Sequence, residues 1–262
     1  MEALTPKQVL LFSFLQGSLP GEVFLTTRDY DLNVSLAQRL WRRFYVVGRH
    51  GGASLAGKLR QSLQRSRRLA EIAESERPDV HVTFVSPDSS RVAFGLGIPV
   101  VAATDSPHSD AASRLPLPLA RRVVIPEFLR GSFAPYERLT TLVAFRGLFE
   151  LAHILRGEPR EQSVRELGLE PYCYALVRLG EQKAYYYPDK LGALQMPLAA
   201  ARSILRESEL TVVVYPRYPE QRRAAEAALR DWATRVVFLE RATDFLSLEF
   251  YAALVVTGGG TL

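Results

Sequence analysis

The stretch Ala253-Leu-Val-Val-Thr-Gly-Gly-Gly-Thr261 decides the fold predicted for this chain. Its apolar residues suit a strand that is buried on both faces of a parallel sheet, and three glycines and a threonine follow directly. Because glycine has no Cβ, its backbone N–H group can approach a phosphate or a sugar closely. We therefore predict that Gly258, Gly259, Gly260 and Thr261 form a ligand-binding loop at the carboxyl end of a strand.

Both ends of the chain look trimmed. A glycine-rich loop normally leads into a helix whose N-terminal amides complete an anion site, yet the sequence stops at Leu262. At the other end, only Met1 to Ala3 precede the helix start at Thr5-Pro6, and three residues are too few for the expected strand. We therefore expect a fragment that lacks most of its first strand and whose second domain is incomplete at the C-terminus.

Composition excludes several classes of protein. The chain has 262 residues, of which 47% are hydrophobic, but no apolar run approaches the length of a membrane helix and no secretory signal is present. It has one cysteine and no Cys/His cluster, which argues against disulfides and against a metal site. We therefore expect a cytoplasmic protein. The net charge of +5 suits an anionic partner, either a nucleotide phosphate or a nucleic acid.

Strand-like and helix-like segments alternate along the chain, and this alternation occurs twice. Residues 80–103 contain a strand, a polar turn, a helix and a second strand, which together form a βαβ unit. Such alternation is typical of parallel α/β sheets. We therefore predict an α/β fold with two Rossmann-like domains, residues 1–139 and residues 140–262.

A long helix is predicted from Ser54 to about Arg77. Apolar residues recur in it every three or four positions and are predicted to form one buried stripe: Leu55, Leu59, Leu63, Leu69 or Ala70, and Ala73. The other face carries Lys58, Arg60, Arg65, Arg67 and Arg68. We interpret this basic face as solvated. Nucleic-acid binding is a less favoured alternative because no aromatic residues are interleaved with the basic ones.

In open α/β sheets, ligands bind beyond the carboxyl ends of the strands, so the loops at those ends supply the candidate site. The candidate catalytic residues are Asp88, His50 and Asp105. The candidate ligand-binding residues, besides the loop from Gly258 to Thr261, are Gly51, Gly52, Arg178, Arg217 and Glu220. Four of these residues also have a simpler interpretation: Asp88 as part of a helix cap, His50 as an ordinary loop histidine, and Arg178 and Arg217 as members of surface ion pairs.

Three common catalytic motifs are missing from the sequence. It contains no nucleophile elbow, no Walker loop and no G-x-G-x-x-G after a strand. This argues against hydrolases of the Ser/His/Asp type, NTPases and dinucleotide-dependent oxidoreductases.

At several places the chain resembles a family of uncharacterised archaeal and bacterial proteins known as domain of unknown function 354. The matching stretches are Leu4-Thr-Pro-Lys-Gln8, Thr27-Arg-Asp29, Val47-Gly-Arg-His-Gly-Gly52, Ser86-Pro87, Arg91-Val-Ala-Phe-Gly-Leu-Gly-Ile-Pro99, Pro216-Arg-Tyr-Pro-Glu-Gln221 and Thr257-Gly-Gly-Gly-Thr261. They extend from one end of the chain to the other. That family is similar to the GT-B glycosyltransferases and to non-hydrolysing UDP-N-acetylglucosamine 2-epimerases.

The resemblance implies a GT-B-like pair of domains with a nucleotide-sugar, most often a UDP-sugar, in the cleft between them and no further cofactor. Asp88 and Asp105 correspond to acidic positions of this wider group, and the loop from Gly258 to Gly260 would meet the diphosphate. We expect glycosyl transfer to an unknown acceptor rather than epimerisation. A binding protein without catalysis is the alternative, nucleic acid is not an expected partner, and the oligomeric state stays open.

Overall fold

A computed structural model describes residues 1–49, 51–52, 54–180, 192–216, 218–239 and 244–257. The chain divides into two compact units, Met1–Leu155 and Arg156–Leu262, and each unit has its own parallel sheet. This confirms the predicted α/β fold class. Over these ranges no helix has both the length and the apolar character needed to cross a membrane.

The first unit is built on a seven-stranded parallel sheet. Its strands are β1 (Glu2–Ala3), β2 (Leu25–Asp29), β3 (Phe44–Arg49), β4 (His81–Thr83), β5 (Val100–Ala103), β6 (Arg122–Pro126) and β7 (Thr141–Phe145). Its helices are α1 (Pro6–Ser13), α2 (Asn33–Leu40), α3 (Leu55–Glu76), α4 (Pro87–Gly95), α5 (Asp110–Ser113), α6 (Arg130–Phe133) and α7 (Leu151–Arg156), the last of which reaches the boundary between the units. The strand order is β3-β2-β1-β4-β5-β6-β7, so the order reverses between β1 and β4.

The short strand β1 is formed by two of the three residues that were expected to be too few for a strand. Glu2 pairs with Thr26 of β2 on one side and with Thr83 of β4 on the other. Ala3 is fully buried in the apolar core of the unit. Two residues suffice for a strand here because they lie at the centre of the sheet, where both neighbours provide hydrogen bonds.

The boundary between the units lies later than predicted, between Leu155 and Arg156 instead of after residue 139. The reason is β7, whose five residues all pair with β6 and so belong to the first sheet. This strand lies at the edge of the sheet and is only partly buried. The run Leu142-Val-Ala-Phe145 has the apolar character of a strand, but the sequence alone does not show which of the two sheets this strand joins.

The second unit has a four-stranded parallel sheet in the order β10-β9-β8-β11. Its strands are β8 (Tyr174–Arg178), β9 (Thr211–Tyr215), β10 (Val236–Phe238) and β11 (Leu254–Val256), and its helices are α8 (Glu161–Arg165), α9 (Gly192–Glu207), α10 (Pro219–Leu229) and α11 (Phe245–Phe250). Within the described ranges β11 pairs only with β8, and its residue Leu254 is 44% exposed.

The long helix α3 also departs from its predicted pattern. The side chains that pack against the sheet are Arg65, Leu69 and Ile72, and the latter two contact Val47 of β3. The leucines at positions 55, 59 and 63, which were predicted to be buried, are 83%, 61% and 63% exposed. Only the C-terminal half of α3 therefore contributes to the core.

Candidate functional site

The carboxyl ends of β1 and β4 lie side by side where the strand order of the first sheet reverses. Such a point opens a crevice between the loops that leave the sheet in opposite directions. The segments that follow these two strands lead into α1 and α4, respectively. Two groups of charged side chains occupy this edge of the sheet.

The first group surrounds Arg65, which is only 3% exposed. Its Nη2 donates to the fully buried carboxylate of Glu2, its Nη1 donates to the backbone carbonyl of Val47, and its Nε donates to Asp88 Oδ2 at 3.0 Å. Arg65 was predicted to lie on a solvated face of the helix, and this was wrong. Three acceptors from separate elements compensate for the loss of water around its guanidinium.

Gly48 makes room for this arginine. Its φ of +67° is one that few other residues adopt, and a Cβ at this position would lie 2.7 Å from Cγ of Arg65. A glycine is therefore required where β3 passes the buried guanidinium.

Asp88 lies in the first turn of α4, next to the N-cap Ser86. Ser86 Oγ accepts a hydrogen bond from the backbone N–H of Ser89 and donates one of 3.0 Å to Glu2 Oε2. Asp88 accepts hydrogen bonds from Ser62 Oγ and Arg65 Nε. The charge of Asp88 thus balances the charge of Arg65. This contact favours a positioning role for Asp88 over direct proton transfer.

The second group is centred on Lys7 in the first turn of α1. Its Nζ contacts Asp105 Oδ2 and donates to Glu150 Oε1 at 2.6 Å, and Ser106 Oγ donates to Asp105 Oδ1 at 2.9 Å. Burial alone would lower the pKa of Lys7, but the hydrogen bonds to Asp105 and Glu150 outweigh it and the pKa lies above its usual value. All three side chains keep some access to solvent.

Sequence reasoning identified Asp105 in this group but missed Lys7 and Glu150. Lys7 lies 98 positions from Asp105 and 143 positions from Glu150 along the chain. The only local signal was the place of Lys7 just after a strand end. The two candidate carboxylates therefore belong to different groups, Asp88 with Arg65 and Asp105 with Lys7.

The glycines after β3 line an open cavity of about 490 Å³ together with Arg49, Gly57, Arg60 and Gln61. Gly51 and Gly57 pack backbone against backbone, because a Cβ on Gly51 would lie 2.5 Å from the Cα of Lys58 and one on Gly57 would lie 2.5 Å from the carbonyl oxygen of Gly51. Gly52 has a φ of +74°. The prediction that Gly51 and Gly52 contact a ligand stays a prediction, and His50 between them and β3 lies outside the described residues.

In the second unit, the strand order reverses between β8 and β11, and Gly180 follows the carboxyl end of β8. Its N–H donates to the carbonyl of Ala193 in α9 at 2.8 Å, and its carbonyl accepts from Nε2 of the buried Gln221 at 2.8 Å. A Cβ on Gly180 would lie 2.6 Å from the Ala193 carbonyl oxygen. The start of α9 is thus held directly against the strand end.

Arg178, the last residue of β8, is buried and lies near Glu249. Burial raises the pKa of Glu249, and the charge of Arg178 offsets part of that rise. Glu220 lies exposed in the first turn of α10. The predictions for Arg217 and for the loop from Gly258 to Thr261 fall on residues outside the described ranges. Within those ranges, no group of three His, Cys, Asp or Glu side chains could hold a metal ion.

Comparison with known proteins gives one family and a set of similar structures. Residues 16–262 match the family described as Protein of unknown function (DUF354). The uncharacterized protein MJ0665 of Methanocaldococcus jannaschii is 24% identical over 246 residues, which cover 92% of this chain and 69% of that protein.

Three solved structures share the fold at 13% identity each. The first is the UDP-GlcNAc 2-epimerase of Methanocaldococcus jannaschii, with a TM-score of 0.65 and coverage of 97% of this chain and 78% of that one. The second is MnaA of S. aureus in a co-structure with UDP, with a TM-score of 0.72 and coverage of 99% of this chain and 74% of that one. The third is a UDP-glucosyltransferase of Polygonum tinctorium, with a TM-score of 0.55 and coverage of 97% of this chain and 73% of that one. These likenesses show the GT-B-like fold of epimerases and glycosyltransferases. The match over residues 16–262 shows that the chain belongs to the DUF354 family.

Proposed function

We propose that this protein binds a UDP-sugar and transfers its sugar to an acceptor. The observation that carries the proposal is the likeness of fold to MnaA with UDP and to a UDP-glucosyltransferase, over nearly the whole chain. The charged groups at the carboxyl edge of the first sheet support it, because ligands of open α/β sheets bind at that edge.

We assign nucleotide binding to the second unit. Its sheet reverses order between β8 and β11, and both the start of α9 and the buried Arg178 lie at the carboxyl end of β8. A helix N-terminus and a guanidinium both favour a diphosphate. The predicted loop from Gly258 to Thr261 would follow β11 at the same edge.

The first unit carries the candidate catalytic groups. Glycosyl transfer requires a base to accept the proton of the acceptor hydroxyl as the new bond forms. We assign this role to Asp105, because each of its oxygens is oriented by one partner, Lys7 or Ser106, and retains a lone pair for a further donor. Lys7 is then a positioning residue. Asp88 keeps Arg65 in place and does not transfer the proton.

An epimerase is the second candidate, because the TM-score of 0.65 to the UDP-GlcNAc 2-epimerase exceeds the 0.55 to the glucosyltransferase. The two reactions are separated by incubating the protein with UDP-GlcNAc and following the sugar by NMR. If the protein is a glycosyltransferase, we expect UDP to be released only when an acceptor is added. A C2 epimer formed without acceptor would favour the epimerase, and binding without any turnover would leave a binding protein.

A further inference from the structure

The N-terminal half of α3 carries a row of uncovered leucines. Leu55, Leu59 and Leu63 are spaced four residues apart, so they lie one above the other on one flank of the helix. They are 83%, 61% and 63% exposed, unlike Leu69 further along, which packs into the core. Three large apolar side chains in a row are more than the scattered exposure that is normal for a surface. We call these three residues the leucine row.

The surroundings of the leucine row are strongly basic. Residues 49–63, which contain the row, have three cations and no Asp or Glu. These cations, Arg49, Lys58 and Arg60, lie at the end of β3 and in the first turns of α3. No carboxylate in the described part of the chain lies within ion-pair distance of these three. The uncovered apolar row is thus bordered by positive charges that are not paired with any carboxylate of the described residues.

A second copy of the chain fits this surface poorly. If two leucine rows packed antiparallel about Leu59, Arg60 of each copy would face Lys58 of the other. Like charges across an interface are costly, and the segment has no carboxylate to offset them. The same surface thus disfavours self-association.

Nucleic acid also fits only part of the surface. Its phosphates would satisfy the cations, but residues 54–70 contain no Phe, Tyr or Trp on which bases could stack. The leucines would stay exposed to water in such a complex. The remaining partner with complementary chemistry is one that offers negative charge beside an apolar phase.

We propose that the leucine row and the basic residues beside it dock the protein on an anionic membrane surface. The leucines enter the boundary between headgroups and acyl chains, and Arg49, Lys58 and Arg60 contact lipid phosphates. A helix of this kind lies in the plane of the membrane and does not cross it. The proposal does not depend on the proposed function, because it uses no residue of the Lys7 group or of the second unit.

Co-sedimentation with vesicles tests the proposal. The wild type is mixed with vesicles of phosphatidylcholine and phosphatidylglycerol, or of phosphatidylcholine alone, at low and at high salt. We expect binding to the anionic vesicles that weakens with salt. Exchange of the leucine row (L55S/L59S/L63S) should weaken binding by about tenfold or more, and K58E/R60E should weaken it too. The matched control L115S/L139S changes two leucines that are each 63% exposed elsewhere in the first unit and should bind like the wild type.

Three results would overturn the proposal. The first is a wild type that does not co-sediment with anionic vesicles. The second is a serine variant that binds them as well as the wild type does, with unfolding measured to show that both are folded. The third is a wild type that forms dimers in sedimentation velocity which the serine variant does not, because the leucine row would then be a subunit interface.

Discussion

Arg65 Nε donates a hydrogen bond of 3.0 Å to Asp88 Oδ2, and the same guanidinium contacts Glu2 and the carbonyl of Val47. One side chain of α3 thus binds to β1, β3 and α4 at the carboxyl edge of the sheet. Because Arg65 and Glu2 are almost fully removed from water, each charge depends on its partner. This ion group therefore holds together the carboxyl edge of the first sheet.

Replacing Arg65 by methionine should therefore destabilise the fold by about 3–5 kcal/mol, because Glu2 and Asp88 would lose their counter-charge. The measurement is denaturant unfolding. The matched control is Arg67→Met on the same helix, where the side chain is 86% exposed and the expected change is within about 0.5 kcal/mol. Equal midpoints for the two variants would mean that the ion group has no structural role.

Gly48→Ala should also destabilise the fold, for a steric reason. Gly97→Ala is the control, since Gly97 has a similar φ of +73° but a Cβ there meets nothing within 4 Å. Both variants lose about 1 kcal/mol through the positive φ, and only Gly48→Ala adds the clash with Arg65. If the two variants have the same free energy of unfolding, the backbone of β3 or the Arg65 side chain can shift to make room for the Cβ, and the close packing of Gly48 against Arg65 is not required.

Stability should fall below neutral pH because of His81. Burial lowers the pKa of His81 to about 3, and its Nε2 lies 2.8 Å from Ser89 Oγ. In the unfolded chain the His81 imidazole becomes protonated near pH 6.5, whereas in the folded chain it becomes protonated only near pH 3. The contribution is complete above pH 6.5 and falls by up to about 1.4 kcal/mol per pH unit as the pH drops toward 3.

Unfolding of the wild type and of His81→Gln at a series of pH values measures this contribution. The variant should lose less stability between pH 6.5 and pH 5 than the wild type does. Parallel curves would show that His81 takes up a proton in the folded protein as readily as in the unfolded chain, which would contradict the lowered pKa.

Strands with strong local signals could be predicted from the sequence. The βαβ unit predicted in residues 80–103 is present as β4, α4 and β5, because its two strands are short runs rich in apolar residues, separated by a polar turn and a helix. The strand β1 could not be found in this way, since two residues carry no periodicity and only pairing with β2 and β4 defines them.

Periodicity also failed on α3, where it assigned Leu59 to the core and Arg65 to solvent. A helical period places residues on a common face but does not say which part of a long helix meets the sheet. The predicted ends of the strands located the carboxyl edge of the sheet, and Asp88 and Asp105 were identified as candidates because they follow those ends. Their partners were not, because Glu2, Lys7 and Glu150 join them only through the tertiary fold.

Asp105→Asn should lower turnover about 10²-fold to 10⁴-fold with little change in nucleotide affinity, if Asp105 is the base. The control is Asp110→Asn, an exposed aspartate whose partner is Arg114 on the same helical turn. Steady-state kinetics with an identified acceptor and calorimetric titration with UDP give the two quantities. A variant with full turnover would remove Asp105 from the mechanism.

The most direct test of the central claim is a calorimetric titration of the protein with UDP, compared with the Gly180→Ala variant. We predict that the wild type binds UDP and that the variant binds it more weakly, because the added Cβ would push the start of α9 away from the end of β8. Gly131→Ala, where a Cβ meets nothing within 4 Å, should bind like the wild type. A wild type that binds neither UDP nor any UDP-sugar would contradict the account.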